Sequence, residues 1–141
     1  MKNLYEIFDE FEMATSKKDK MKVIENNLSK VLVNVLQMTY HPNYVWLIND
    51  MPDSYIVPTD ILPGSSPQTI STQLRKMYLF QKGHPSSSNL TEEKRKQLLL
   101  QLLESLEPRE AEVVIGILRK DQGVKGLDYN FVKEAFPELL P

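Results

Sequence analysis

The chain has 141 residues, 41% of them hydrophobic and 26% charged, enough for one globular core without covalent staples. It contains no cysteine, which excludes disulfides, thiolate zinc sites and a cysteine nucleophile. The formal net charge is −2, so the global basic surplus of an electrostatic DNA binder is absent, and any nucleic-acid face must be local.

Acidic residues interrupt the apolar positions of "MKNLYEIFDEFEMA", where a signal peptide needs an unbroken apolar run. No apolar stretch approaches bilayer length. A soluble, cytoplasmic protein is expected. Leu4, Ile7, Phe8 and Phe11 recur at helical spacing, which predicts an amphipathic helix over 3–14. Thr15 and Ser16 offer caps for a second helix through "KKDKMKVIENN", whose exposed side carries Lys17, Lys18, Lys20 and Lys22 against Asp19. A third helix, "LSKVLVNVLQMTY", places Leu28, Val31, Leu32, Val35 and Leu36 on one stripe.

Residues 41–66 change character, because Pro42, Pro52, Pro58 and Pro63 interrupt them. They read as one helical turn at "PNYVWLI" and a long loop pinned by Tyr44, Trp46 and Tyr55. Ser66 and Pro67 suit the start of a helix over "QTISTQLRKMYLFQ", and "KGHPSSSN" reads as a mobile loop. Thr91 caps the leucine-rich helix "EEKRKQLLLQLLESL", with Glu92 and Glu93 at its positive end. Pro108 opens "REAEVVIGILRK". Its interior Gly116 costs ~1 kcal/mol relative to alanine, which a closely crossing helix backbone would explain. Asp128 caps "YNFVKEAF", and Pro137 ends it. The expected fold is all-α, a single domain over 1–141 built as a compact bundle of about seven helices.

Chemistry is sparse. His41 and His84 lie in separate loops, each beside a proline and without ligand-like spacing, so no metal is expected. No strand–turn–helix elbow frames a serine, and the five glycines form no phosphate loop, so neither a catalytic residue nor a cofactor is expected. Four basic clusters remain: Lys17, Lys18, Lys20 and Lys22; Arg75 and Lys76 with Lys82; Lys94, Arg95 and Lys96; and Arg119, Lys120 and Lys125 around Gly123 and Gly126. Glycines beside a helix start expose N–H groups that can meet a phosphate. From the residues alone, the better reading is that Gly123 and Gly126 only supply the turn between two helices.

The segment "ILRKDQGVKGLDYNFVKEAFPELLP" resembles the end of the N-terminal DNA-binding domain of ATP-dependent DNA ligases, particularly the compact bacteriophage type. "TSKKDKMKVIENN" and "LVNVLQMTYHPNYVWLI" are similar to upstream parts of the same domain. The resemblance implies a helical bundle that lies on the DNA minor groove around a nick and holds the sugar–phosphate backbone. Carried over by position, it implicates Arg119, Lys120, Gly123, Lys125 and Gly126, with Lys17, Lys18, Arg75 and Lys76 as further contacts. Asp121 and Asp128 flank the turn, where the family is more basic.

Ligase chemistry needs a lysine in a Lys-x-Asp-Gly setting. The nearest string, Lys120-Asp121-Gln122-Gly123, has another order, so no joining activity is expected. The expectation is a monomeric, non-catalytic, virus-encoded protein of the host cytoplasm that binds duplex or nicked DNA. The rival expectation is a viral accessory module that kept the ligase-domain fold and docks on a viral or host protein.

Overall fold

The computed structural model describes residues 3–48 and 70–141. The fold is all-helical. Eight α-helices and one 3-10 helix occur among the described residues, with no strand and one isolated β-bridge. No helix there is long and apolar enough to cross a membrane. The chain divides into two compact units, Met1–Asn43 with Gly116–Pro141, and Tyr44–Ile115.

The first unit contains α1 (Leu4–Met13), α2 (Lys17–Asn26), α3 (Lys30–Tyr40), the end of α7 (Pro108–Arg119) and α8 (Tyr129–Ala135). Leu4, Ile7, Phe8 and Phe11 are buried, as their spacing requires. The Phe11 ring meets Phe131 of α8 edge-on at 5.0 Å between centroids, a favoured aromatic geometry.

Short polar caps set the helix starts. Ser16 Oγ accepts from the Asp19 N–H at 3.1 Å, Ser29 Oγ from Leu32 at 3.1 Å, and Asp128 Oδ1 from Phe131 at 2.8 Å. The Ser29 cap delays α3 until Lys30 and leaves Leu28 outside it, 46% exposed instead of on the apolar stripe. Gly116 is explained by a side chain, not by a crossing helix backbone. A Cβ there would lie 2.7 Å from the end of Gln122, whose Nε2 donates to the buried Thr39 Oγ1 at 3.0 Å.

The second unit holds α4 (Ile70–Leu74), the 3-10 helix Met77–Phe80, α5 (Pro85–Ser88), α6 (Glu92–Glu104) and α7 as far as Ile115. Thr91 Oγ1 caps α6 through the Lys94 N–H at 3.1 Å, and Leu99, Leu102, Leu103 and Leu106 are buried. "PNYVWLI" is not a helical turn. Leu47 N–H donates to Phe80 O at 2.6 Å and Lys82 N–H to Val45 O at 2.7 Å, so the segment pairs antiparallel at Trp46 and Gln81.

The helix expected over 68–81 is divided at Arg75 and Lys76 between α4 and the 3-10 helix, and its proposed start at Ser66 and Pro67 lies outside the described residues. "KGHPSSSN" holds the short helix α5 and is not a bare loop. His84 Nδ1 accepts from the Ser86 N–H at 3.1 Å, and Arg95 donates to Leu90 O at 3.0 Å and Ser87 O at 3.3 Å.

Glu110 is buried near Glu107, and loss of solvent, followed by the Glu107 charge, raises its carboxyl above the usual 4.5 against a backbone hydrogen bond from Ile70. The charged form is therefore disfavoured on folding, and stability falls as pH rises through the folded-state value. Glu110→Gln is expected to raise the melting temperature at pH 7, an advantage that disappears below pH 4.5. A variant that melts at the same or a lower temperature at pH 7 would contradict it.

Candidate nucleic-acid interface

The turn joining α7 to α8 sits in the first unit beside α1 and α2. It is shaped by three left-handed residues, Lys120 (φ 60°), Gly123 (φ 68°) and Gly126 (φ 88°). Glycine adopts this region freely, whereas a lysine there costs of the order of 1–3 kcal/mol. The Lys120 ammonium offsets that cost. Its Nζ donates to His41 O at 2.7 Å and Met38 O at 3.3 Å, at the carbonyl end of α3, where a cation also complements the helix dipole. Burial lowers its pKa from the ordinary lysine value. Lys120 therefore serves α3, and its charge is turned to protein carbonyls.

Tyr40, also at the end of α3, fixes the other side of the turn. Its hydroxyl donates to Leu127 O at 3.2 Å and accepts from the Gln122 N–H at 3.4 Å.

The amides of the turn hold oxyanions supplied by the chain itself. Gly123 N–H donates to Asp121 Oδ1 at 2.9 Å, and Lys125 N–H donates to Glu12 Oε1, from the end of α1, at 3.1 Å. Asp128 has a different task, as the cap of α8. Gly126 is required by its positive φ and not by a lack of room. A Cβ there would lie 3.5 Å from Lys20 Cδ and Cε and 3.6 Å from the Phe11 ring. Its N–H has no hydrogen-bond partner among the described residues.

The lysines of α2 divide by partner. Lys17 pairs with Glu134 of α8. Lys20 Nζ donates to Phe11 O at 2.7 Å and stands 4.7 Å over the Phe11 ring, closing the carbonyl end of α1. Lys18 and Lys22 are exposed, and no ion pair engages them among the described residues. Lys17, Lys20, Gly126, Asn130, Phe131 and Glu134, with Asp128, line an open groove of about 350 Å³. The structure thus brings α2 and the turn together, as the sequence alone could not show.

Arg119 and the Lys125 side chain are exposed, and no ion pair engages them among the described residues. Arg75 and Lys76 are exposed on the second unit, where Lys76 borders a groove with Gln73, Leu98 and Gln101. Trp46 is half-buried and stacked on Tyr44 at 5.7 Å, while Tyr55 and the rest of the loop expected to be pinned by these aromatics, from residue 49 on, lie outside the described residues. No group of three or more histidine, aspartate or glutamate residues that could hold a metal ion occurs among the described residues.

Sequence reasoning missed Glu12 and Gln122. Glu12 left a faint trace, since an acid in the last turn of a helix opposes the dipole. Gln122 left none.

The family described as "Family of unknown function (DUF6433)" matches residues 7–125. The chain belongs to DUF6433. Among curated proteins, none matches it in sequence. A solved structure named "Pmar-Lig_PreS3", marked by that name as a ligase, is similar in fold, with a TM-score of 0.63 and 18% identity. The match covers 100% of this chain and 32% of that one, so this DUF6433 chain spans about a third of the ligase's length.

Proposed function

We propose that this chain binds the sugar–phosphate backbone of duplex or nicked DNA and performs no joining chemistry. The observation that carries this reading is the α7–α8 turn, whose N–H groups already hold carboxylate oxygens. A phosphodiester offers similar charged acceptors to such backbone amides. Arg119 and Lys125 are exposed on the segment that forms the turn, Lys18 is exposed on α2, Lys17 borders the adjoining groove, and Arg75 and Lys76 give the second unit its own cations. The fold likeness to a ligase over the full chain supports the same reading.

The reading requires binding to weaken with salt, with a log–log slope of about −0.9 per phosphate neutralised. Fluorescence anisotropy of intact and nicked duplex across a salt series measures this. Lys18→Glu with Lys125→Glu is expected to weaken binding several-fold and to flatten the slope by about 1 for each phosphate that no longer meets a cation. No salt-dependent binding at low ionic strength, or a double variant that binds like the parent, would refute it.

A further inference from the structure

We propose that Glu12 occupies the anion position of the α7–α8 turn from within the chain, so that a phosphate group binds there by displacing it. The inference rests on the DNA-backbone reading and adds its regulation.

The hydrogen bond joins residues far apart in sequence. Glu12 Oε1 accepts from the Lys125 N–H at 3.1 Å, with no ion pair to Glu12 among the described residues. This carboxylate is therefore held by a backbone amide and, among the described residues, not by a lysine or arginine side chain. It also sits in the last turn of α1, which has no basic residue of its own there, and the Lys20 ammonium from α2 goes to the Phe11 carbonyl instead of to this carboxylate. A single exposed hydrogen bond of this kind exchanges readily with another acceptor. Glu12 is exposed, so its release buries no charge.

The next amide, that of Gly126, has no partner among the described residues, and Gly126 borders the groove lined by Lys17 and Lys20. A phosphate has more acceptor oxygens than the single carboxylate oxygen now present. It can take the Lys125 N–H in place of Glu12 and the Gly126 N–H in addition. Asp121 stays in place, because its bond to Gly123 is local to the turn.

The test uses Glu12→Ala, which empties the position, and Glu12→Gln, which keeps the shape and removes the charge. Glu6→Ala, about 9 Å away along α1, removes an equal charge as a control. Circular dichroism verifies the fold of each. Inorganic phosphate is titrated while the Lys125 and Gly126 amide resonances are followed. They are expected to shift at several-fold lower phosphate in Glu12→Ala than in the parent or in Glu6→Ala. Duplex affinity is expected to rise roughly two- to fivefold in Glu12→Ala and Glu12→Gln, the range of an exposed charge interaction.

Equal phosphate responses in the parent and Glu12→Ala, or an equal gain in Glu6→Ala, would overturn the proposal. Salt-dependent DNA binding without any gain in Glu12→Ala overturns it and leaves the DNA reading standing. Phosphate capture by Glu12→Ala, with no DNA binding by any variant, supports the displaceable anion and removes the DNA reading.

Discussion

Phe11→Ala is expected to lower the unfolding free energy by about 3–5 kcal/mol, the usual cost of truncating a buried phenylalanine. The ring is 0% exposed. It packs edge-on against Phe131, carries the Lys20 ammonium over its face, and lies close beneath Gly126. One side chain therefore joins α1, α2, α8 and the turn. Its removal leaves a cavity that rigid helices close only in part. Urea unfolding followed by circular dichroism measures the loss as a lower midpoint at nearly constant slope. A loss under about 1 kcal/mol would mean that the site collapses freely and that Phe11 does not hold the turn in place.

The second large effect appears in alkali. Burial, followed by the charges of Asp121 and Asp128, pushes the Tyr40 hydroxyl up to about 12 from 10.0, against the Gln122 backbone hydrogen bond that lowers it. Between those values the folded chain keeps a proton that the unfolded chain has released. The associated stability is fully present below pH 10 and is lost as pH approaches 12, about 2–3 kcal/mol in all. Lys120 acts with the opposite sign. Its ammonium is depressed below 10.5 by burial, so its contribution rises with pH just under that value. Urea midpoints between pH 9 and 12 are expected to fall steeply in the parent and more gently in Tyr40→Phe. The variant gives up ~1 kcal/mol at neutral pH with the Leu127 hydrogen bond. Parallel curves would show that Tyr40 does not govern the transition.

The helices with local signals were legible in the sequence. Thr91, Pro108 and Asp128 mark real starts, and the Leu4–Phe11 spacing marks a buried face, because caps and periodicity act within one turn of chain. The pairing of Val45–Leu47 with Phe80–Lys82 was not legible, since it joins segments more than thirty residues apart. Over 70–80, buried Ile70, Leu74, Met77 and Phe80 keep a spacing of three to four, which α and 3-10 helices satisfy alike. The break at Arg75 and Lys76 was therefore invisible. The His84 cap escaped notice because histidine is not among the preferred cap residues.

At the candidate interface, composition located the cations but could not show how they are engaged. Lys18, Lys125 and Arg119 stay exposed, whereas Lys17, Lys20 and Lys120 turn to Glu134, Phe11 O and the end of α3. Each of these partners comes from another element and follows from packing. Glu12 belongs with them, since its amide partner is fixed only when α1 meets the turn.

The first unit is assembled from two stretches of chain with the whole of Tyr44–Ile115 between them. A ribosome that has just added Ile115 has supplied every residue of the second unit, while Phe11 still lacks Phe131 and Glu12 still lacks the Lys125 amide. Contacts within Tyr44–Ile115 close shorter loops than the one that joins Phe11 to Phe131, so the second unit carries the smaller loop-closure cost. The first unit bears the larger cost, because its contacts around Phe11 and Glu12 need residues from both stretches at once.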